Sequence, residues 1–285
     1  MSQPQRAVIL SAGQGSRLLP LTAQMPKCLL DLCGRSMLEW QLRGLSQMGV
    51  PEAVVVTGFH PELVEAELKR VAPQNMRVRT LYNPFYKLAD NLASCWMARA
   101  ELTGTCLILN GDTLFEPDIA GRLIAAAPAP ITVTIDRKPN YDSDDMKVET
   151  DGVHLRAIGK TLSAERVNGE SIGFLRFTTE GAARFVGVLV DLLLARGRAA
   201  RSDGLEGHAV GIGYIVERSV VGQEAGGHAC AGRGFRRINA EAQTGAVDSR
   251  RRSVEAMAKA SCASRVKAYL ATHCSANTPI ALPRS

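Results

Sequence analysis

The 285-residue chain is predicted to be an α/β protein built on a doubly wound, mostly parallel sheet, with an inserted β-hairpin region and a C-terminal tail of a different kind. Three observations predict it. Short β-branched apolar runs alternate with helical patterns from Arg6 to Asp136, as parallel strands joined by crossover helices do. After Asp136 the alternation gives way to a hairpin pattern. Beyond about Ala199 neither the helical nor the strand period persists. The expected division is a body over 1–198 and an atypical tail over 199–285.

The elements follow in order. RAVILS reads as a first strand, and it opens directly into a glycine-rich stretch. SMLEWQLRGLSQMG carries apolar residues at 37, 38, 42, 45 and 48, a helical spacing. EAVVVTGF is a second strand, and HPELVEAELKRVA a helix with Pro61 at its start, where a missing N–H is harmless. MRVRTLYN is a third strand, NLASCWMARAEL a helix, and TCLILNGD a fourth strand ending in a polar turn. EPDIAGRLIAAA reads as a helix and APITVTID as a fifth strand. DMKVETDGVHLRAIGKT is predicted to be a hairpin turning at Asp151-Gly152. SIGFLRFT is another strand and EGAARFVGVLVDLLLARG a long helix. The whole body thus reads as Rossmann-like.

The tail departs from this order. It is rich in Ala, Gly and Arg, poor in large apolar residues, and expected to be weakly ordered. It also carries the charge. From Val216 onward eleven Lys and Arg face five Asp and Glu, which accounts for the net charge of +6; residues 1–215 balance. The basic balance is therefore no argument that the body binds nucleic acid. Seven cysteines without a C-x-x-C pair fit neither common zinc spacing nor a thioredoxin-type motif, and free thiols are expected. No apolar run reaches the roughly 18 residues of a membrane span. The N-terminus lacks a basic segment before a signal-length apolar core, so a cytoplasmic protein is expected. The oligomeric state is not legible.

The chemistry begins at LSAGQGSRLLPLTAQMPKCLLDL, Leu10–Leu32. Gly13 and Gly15 allow a backbone to approach phosphate oxygens and present N–H groups. Arg17 and Lys27 add two cations, and Pro20 and Pro26 stiffen the segment between them. Neither a Walker loop nor a G-x-G-x-x-G dinucleotide fingerprint is present. The pattern G-x-G-x-R-x-x-P-x-T-x-x-x-P-K-x-L-L, met at every fixed position, resembles the signature of sugar-phosphate-type nucleotidyltransferases. The resemblance implies that the loop, from Ala12 through Gly13 and Gly15, wraps a triphosphate, and that Arg17 and Lys27 are catalytic in neutralising its charge.

A second constellation, LILNGDTLF, ends a strand with Asn110-Gly111-Asp112. A carboxylate at a strand's carboxyl end suits a ligand crevice and can hold Mg2+ that bridges to phosphates. By resemblance Asp112 is the metal aspartate, and Mg2+ the expected cofactor. Further stretches, YNPFYKLADNLASCWMA, IDRKPNYDSDDMKV, IGKTL and NGESIGFLRF, resemble the phosphocholine cytidylyltransferase group, which includes relatives acting on phosphoethanolamine-like and aminoethylphosphonate substrates. That resemblance implies CTP as the nucleotide and a cationic phosphate or phosphonate as acceptor. A cationic head group calls for aromatic faces or carboxylates. Tyr86, Trp96 and Tyr141 are candidates for the first, although Trp96 also suits a helix's core face; Asp136, Asp142, Asp144 and Asp145 are candidates for the second. The resemblance further places Lys160 and Glu170 at the acceptor, and Asn91, Ser94 and Asn110 at the nucleotide. No spaced histidine pair and no Ser/His/Asp order suggests a hydrolase.

Members of the resembled family end in a W-x-E-[IV]-D-like strand that supplies further metal ligands. Here tryptophan occurs only at 40 and 96, and no such motif follows. The expectation is an enzyme of weakened turnover; a shifted reading frame would explain the abrupt Ala/Gly/Arg composition. Two other functions stay open: a sugar-1-phosphate nucleotidyltransferase, and a nucleotide-binding protein with impaired catalysis.

Overall fold

The computed structural model describes residues 3–87, 91–127, 129–202, 228–231 and 236–237. Strand β1 (Arg6–Leu10) runs into the glycine stretch, which carries two single-turn 3-10 helices, Ser16–Leu18 and Lys27–Leu29. A two-residue ribbon follows, β2 (Asp31–Leu32) and β3 (Arg35–Ser36). Then come α1 (Met37–Gln47), β4 (Glu52–Thr57), α2 (Pro61–Val71), β5 (Arg77–Tyr82), α3 (Asn91–Met97) and β6 (Cys106–Asn110). Next are β7 (Thr113–Leu114), α4 (Pro117–Ala125) and β8 (Ile131–Asp136). The hairpin is β9 (Lys147–Asp151) with β10 (His154–Gly159), and β11 (Gly169–Phe177) leads into α5 (Thr179–Ser202). Two short tail strands, β12 (His228–Ala231) and β13 (Arg236–Arg237), complete the described elements.

The helices begin where the sequence provides caps. Ser36 accepts a hydrogen bond from the Glu39 N–H at 3.0 Å, closing the first turn of α1. Pro61 occupies the first turn of α2 behind His60, which takes a left-handed φ of 44°. The hairpin turns one residue later than expected: Asp151 pairs with His154, so Gly152 and Val153 form the turn. Gly152 carries the positive φ, 60°, that a tight two-residue connection needs.

The main sheet has the order β5-β4-β1-β6-β11-β8-β12-β10-β9 among the described residues. β5, β4, β1 and β6 are mutually parallel. Both faces of β4, β1 and β6 are covered, so both sets of their side chains are largely apolar, whereas the edge strand β5 is only partly buried. Val8 and Leu10 of β1 pack with Leu92 and Cys95 of α3 and Phe185 and Leu189 of α5. Ala7 and Ile9 pack on the opposite face with Leu38, Leu42 and Leu45 of α1, Val64 of α2 and Leu123 of α4. Each such large side chain contributes about 1.5–3 kcal/mol on burial. At the N-terminal edge, Arg6 and Arg79 share Glu52 and Glu101, with Arg6 Nε to Glu52 Oε2 at 2.7 Å, tying β1, β4 and β5 together.

The order holds one feature that periodicity does not encode. β11 lies antiparallel between β6 and β8, so the fifth strand of the chain's alternation is not a neighbour of the fourth. β12 adds to the far side of β8 in parallel, and β13 pairs with β7. The remainder of the tail, on which the expectation of weak order chiefly bears, lies outside the described residues. No helix among the described residues is long and apolar enough to cross a membrane.

Candidate active site

Connections from β1 run to β4 and β5 on one side, whereas β6 lies on the other. In open α/β sheets such a reversal leaves a crevice at the carboxyl ends of the two central strands. Here those ends are Leu10 and Asn110, paired in register. The glycine loop leaves from one and the Asn110-Gly111-Asp112 turn from the other.

The turn sits tightly on the loop. The Gly111 N–H donates to the Leu10 carbonyl at 2.9 Å. A Cβ at Gly111 would lie 2.4 Å from Ser11 Oγ and 2.9 Å from the Leu10 oxygen, so only glycine fits. Gly15 adopts φ 76°, and a Cβ there would meet Lys27 Cβ at 2.9 Å. The glycine therefore lets the lysine stem cross the loop. Thr22 Oγ1 donates to the Gly15 carbonyl at 2.9 Å, holding the return of the segment. Lys27 Nζ consequently reaches Asp112 Oδ2 at 2.6 Å. Gly13 faces open space, with nothing within 4 Å of a Cβ position. Ala12 is buried, and its carbonyl accepts from the Phe59 N–H at 2.9 Å. Arg17 stands in the 3-10 turn Ser16–Leu18, and its side chain lies outside the described part of the structure.

The predicted base-side residues divide. Asn91 Nδ2 donates to Asn110 Oδ1 at 2.9 Å, so α3 and the end of β6 are joined at the crevice. Gly173, with φ 74°, lets β11 pass against the Asn110 amide, where a Cβ would lie 2.0 Å from Nδ2. Ser94 is instead 3% exposed and accepts from Asn83 Nδ2 at 3.1 Å, within the packing beneath.

The predicted acceptor residues also divide. Asp136, at the end of β8, is buried and stands opposite Glu170 in the strand register. Lys138 Nζ bridges Asp145 Oδ2 at 2.5 Å and Glu170 Oε2 at 2.9 Å, and lies 5.8 Å from the Tyr141 ring centre. Burial pushes the Glu170 carboxyl up to about 7; the Lys138 ammonium opposes this and the neighbouring Asp145 carboxylate adds to it. Burial also acts upward on Asp145, but hydrogen bonds from Lys138, Glu170 and the Asp142 N–H hold it below the usual carboxylate range. Asp145 is thus the member of the acidic run that joins Glu170, whereas Asp144 pairs with Lys160 at 2.7 Å. Trp96 is half-buried against the core and its ring carries the Arg99 guanidinium at 4.1 Å. Tyr86 packs near Phe59 and over Gly58, where a Cβ would lie 2.7 Å from the tyrosine Cβ.

Several residues of this site escape sequence reasoning. Lys138 and Gly58 carry no local signal. Gln41 does carry one: it interrupts the apolar stripe of α1 formed by Met37, Leu38, Leu42 and Leu45. Three of the described free cysteines are inert by contrast, burial pushing the thiols of Cys28, Cys95 and Cys106 up to about 12.

A divalent cation can be tested against this donor set. Asp112 is one carboxylate at the crevice, and Asn110 Oδ1 is engaged by Asn91. No group of three or more His, Cys, Asp or Glu among the described residues could hold a metal. That suits an ion such as Mg2+ that takes one protein carboxylate and completes its shell with substrate phosphates, rather than an all-protein cage.

This fold is that of the nucleotidyltransferases. The inositol-1-phosphate CTP transferase from T. maritima superposes with a TM-score of 0.66, covering 90% of this chain and 96% of that one at 16% identity. The protein belongs to the MobA-like NTP transferase family, whose domain matches residues 7–203. Among its relatives, the CMP-5'-(3-aminopropyl)phosphonate synthase of Streptomyces rubellomurinus is 39% identical over 126 residues, 44% of this chain and 20% of that protein. The CTP:phosphoglutamine cytidylyltransferase of Campylobacter jejuni is 24% identical over 190 residues, 60% of this chain and 72% of that protein. The chain therefore spans only a fifth of the length of the first relative.

Proposed function

We propose that the protein transfers CMP from CTP to phosphocholine or a related aminoalkyl phosphate or phosphonate, releasing pyrophosphate. The observation that carries this reading is the Lys27–Asp112 contact at the switch point of the sheet, 2.6 Å long and seated on a glycine loop. The similarity to an aminopropylphosphonate synthase supports the acceptor class.

In this reading an anionic acceptor oxygen attacks the α-phosphorus of CTP in line. The bond to the bridging oxygen breaks, and pyrophosphate leaves with that electron pair. No protein base is needed, because the attacking oxygen carries no proton. The protein positions and neutralises. Lys27 stabilises charge gathering on the α-phosphoryl oxygens, and Arg17 holds the β- and γ-phosphates. Gly13, Gly15 and Ala12 bring the backbone to the triphosphate, and Asn91 and Asn110 stand toward the nucleoside. Asp112 would hold Mg2+, which when bound would supply further charge neutralisation at the phosphates. Asp136, Tyr141, Asp145 and Glu170 line the side that takes the acceptor's cationic group, and Lys160 the side of its phosphate.

The test is pyrophosphate release with CTP, UTP, ATP and GTP, each crossed with phosphocholine, phosphoethanolamine, aminoalkylphosphonates and glucose-1-phosphate. CTP with an aminoalkyl acceptor is expected to lead, and Asp112→Ala to be silent. A preference for the sugar phosphate would overturn the acceptor class. A second reading, nucleotide binding with slow turnover, is favoured by the lack of a W-x-E-x-D-like motif after Trp96. It predicts CTP binding without pyrophosphate release above that of Asp112→Ala.

A further inference from the structure

Gln41 is 1% exposed, on the stripe of α1 that packs under the sheet. A polar side chain so placed must find partners. Its Nε2 donates to the Asn110 carbonyl and to the Thr113 carbonyl, both at 2.8 Å. These two carbonyls bracket Gly111 and Asp112. Two acceptors at one end of the amide fix its orientation, and Oε1 is left buried without a hydrogen-bond partner among the described residues. An arrangement that leaves a buried acceptor unmet is costly, and what it secures is the height of one turn. The same turn is held from β11, where Thr113 Oγ1 donates to the Ile172 carbonyl at 2.8 Å.

We infer that Gln41 is a positioning residue: its paired N–H bonds set the Asp112 carboxylate against Lys27 and toward the triphosphate. The inference rests on the functional reading above, in that Asp112 serves a metal–CTP complex. An apolar residue would pack in the stripe equally well but would free both carbonyls.

Full-length Gln41→Met and Gln41→Glu carry the test. Methionine keeps the volume and removes both donors. Glutamate keeps the shape but sets a carboxylate against two carbonyls; protonated, it regains one O–H donor. The measurements are Mn2+ affinity in the presence of CTP by electron paramagnetic resonance, kcat and KM for pyrophosphate release, and the thermal midpoint. Gln41→Met is expected to weaken Mn2+ binding with CTP and to lower kcat, each by roughly 10–100-fold, as loss of a ligand's supporting hydrogen bonds does. Metal-independent CTP affinity is expected to stay unchanged. The activity of Gln41→Glu relative to the parent is expected to rise as pH falls. Parent-like Mn2+ affinity and kcat in Gln41→Met overturns the inference. If Gln41→Met does not fold, the Glu variant decides: a ratio to parent that is flat with pH overturns it. A parent that binds Mn2+ and CTP but releases no pyrophosphate sinks the functional reading while the Mn2+ affinities still decide this one. A parent that binds neither sinks both.

Discussion

Lys27 Nζ lies 2.6 Å from Asp112 Oδ2, although 85 residues separate the two in the chain. They meet because β1 and β6 are parallel neighbours, and because Gly15 and Gly111 remove the side chains that would hold the two segments apart. Lys27→Met is expected to lower kcat for pyrophosphate release by roughly 10²–10³-fold, the usual effect of losing one group aimed at transition-state charge. Asp112→Asn is expected to fall at least as far. The double variant should be little worse than either single one, because the pair acts as a unit. Fully additive losses would show that the two act independently.

The two glycines facing the crevice are expected to behave oppositely. Gly111→Ala places a methyl 2.4 Å from Ser11 Oγ and against the Leu10 carbonyl, so backbone must shift. A cost of about 1–3 kcal/mol, read as a fall in thermal midpoint, follows from such overpacking. Gly13→Ala meets nothing within 4 Å, so the fold is expected to keep its midpoint. Its effect should appear in KM for CTP, where the methyl obstructs a phosphate approaching the backbone. Calorimetry and steady-state kinetics on both variants check this. A Gly13→Ala with unchanged KM would remove that glycine from the triphosphate site.

Glu170 gives a pH dependence of definite sign. Its carboxyl is raised from an ordinary 4.5 to about 7, chiefly by burial. The folded protein therefore holds that proton more tightly than the unfolded chain. The contribution to stability is complete below about pH 4.5 and is lost as pH rises through about 7. Asp145 acts the other way: its carboxyl is held low, so its contribution is lost in acid. Thermal midpoints measured from pH 5 to 8 should show Glu170→Gln gaining on the parent as pH rises. Parallel curves for the two proteins would contradict this assignment.

Arg176 offers a variant away from the crevice. It is 4% exposed, and its Nη1 donates to the carbonyls of Leu123, Ile124 and Ala126, at 3.1, 2.7 and 3.1 Å, at the end of α4. These are carbonyls that a helix terminus leaves without partners. Arg176→Met is expected to lower stability by about 1–3 kcal/mol for the acceptors left unmet. Its kcat per folded molecule should equal the parent's. Denaturant unfolding and kinetics on the same preparation test both halves.

Order and type of the body's elements are written in the sequence. Val8 and Leu10 alternate with Ala7 and Ile9, and both sets are apolar because helices cover both faces of the sheet. The glycines and prolines after β1 and the aspartate after β6 likewise mark the crevice, because strand ends and backbone permissiveness are local properties. The tertiary structure decided the rest. It inserted β11 between β6 and β8. It buried Asp145 rather than Asp144 beside Glu170, and brought in Lys138 to bridge them. It set Arg99 on Trp96 and turned Gln41 toward two carbonyls of the Asp112 turn. A residue's period and type announce its element. Which of two adjacent carboxylates loses water, and which polar side chain in an apolar stripe finds a partner, depends on groups tens of residues away that only packing brings within hydrogen-bond reach.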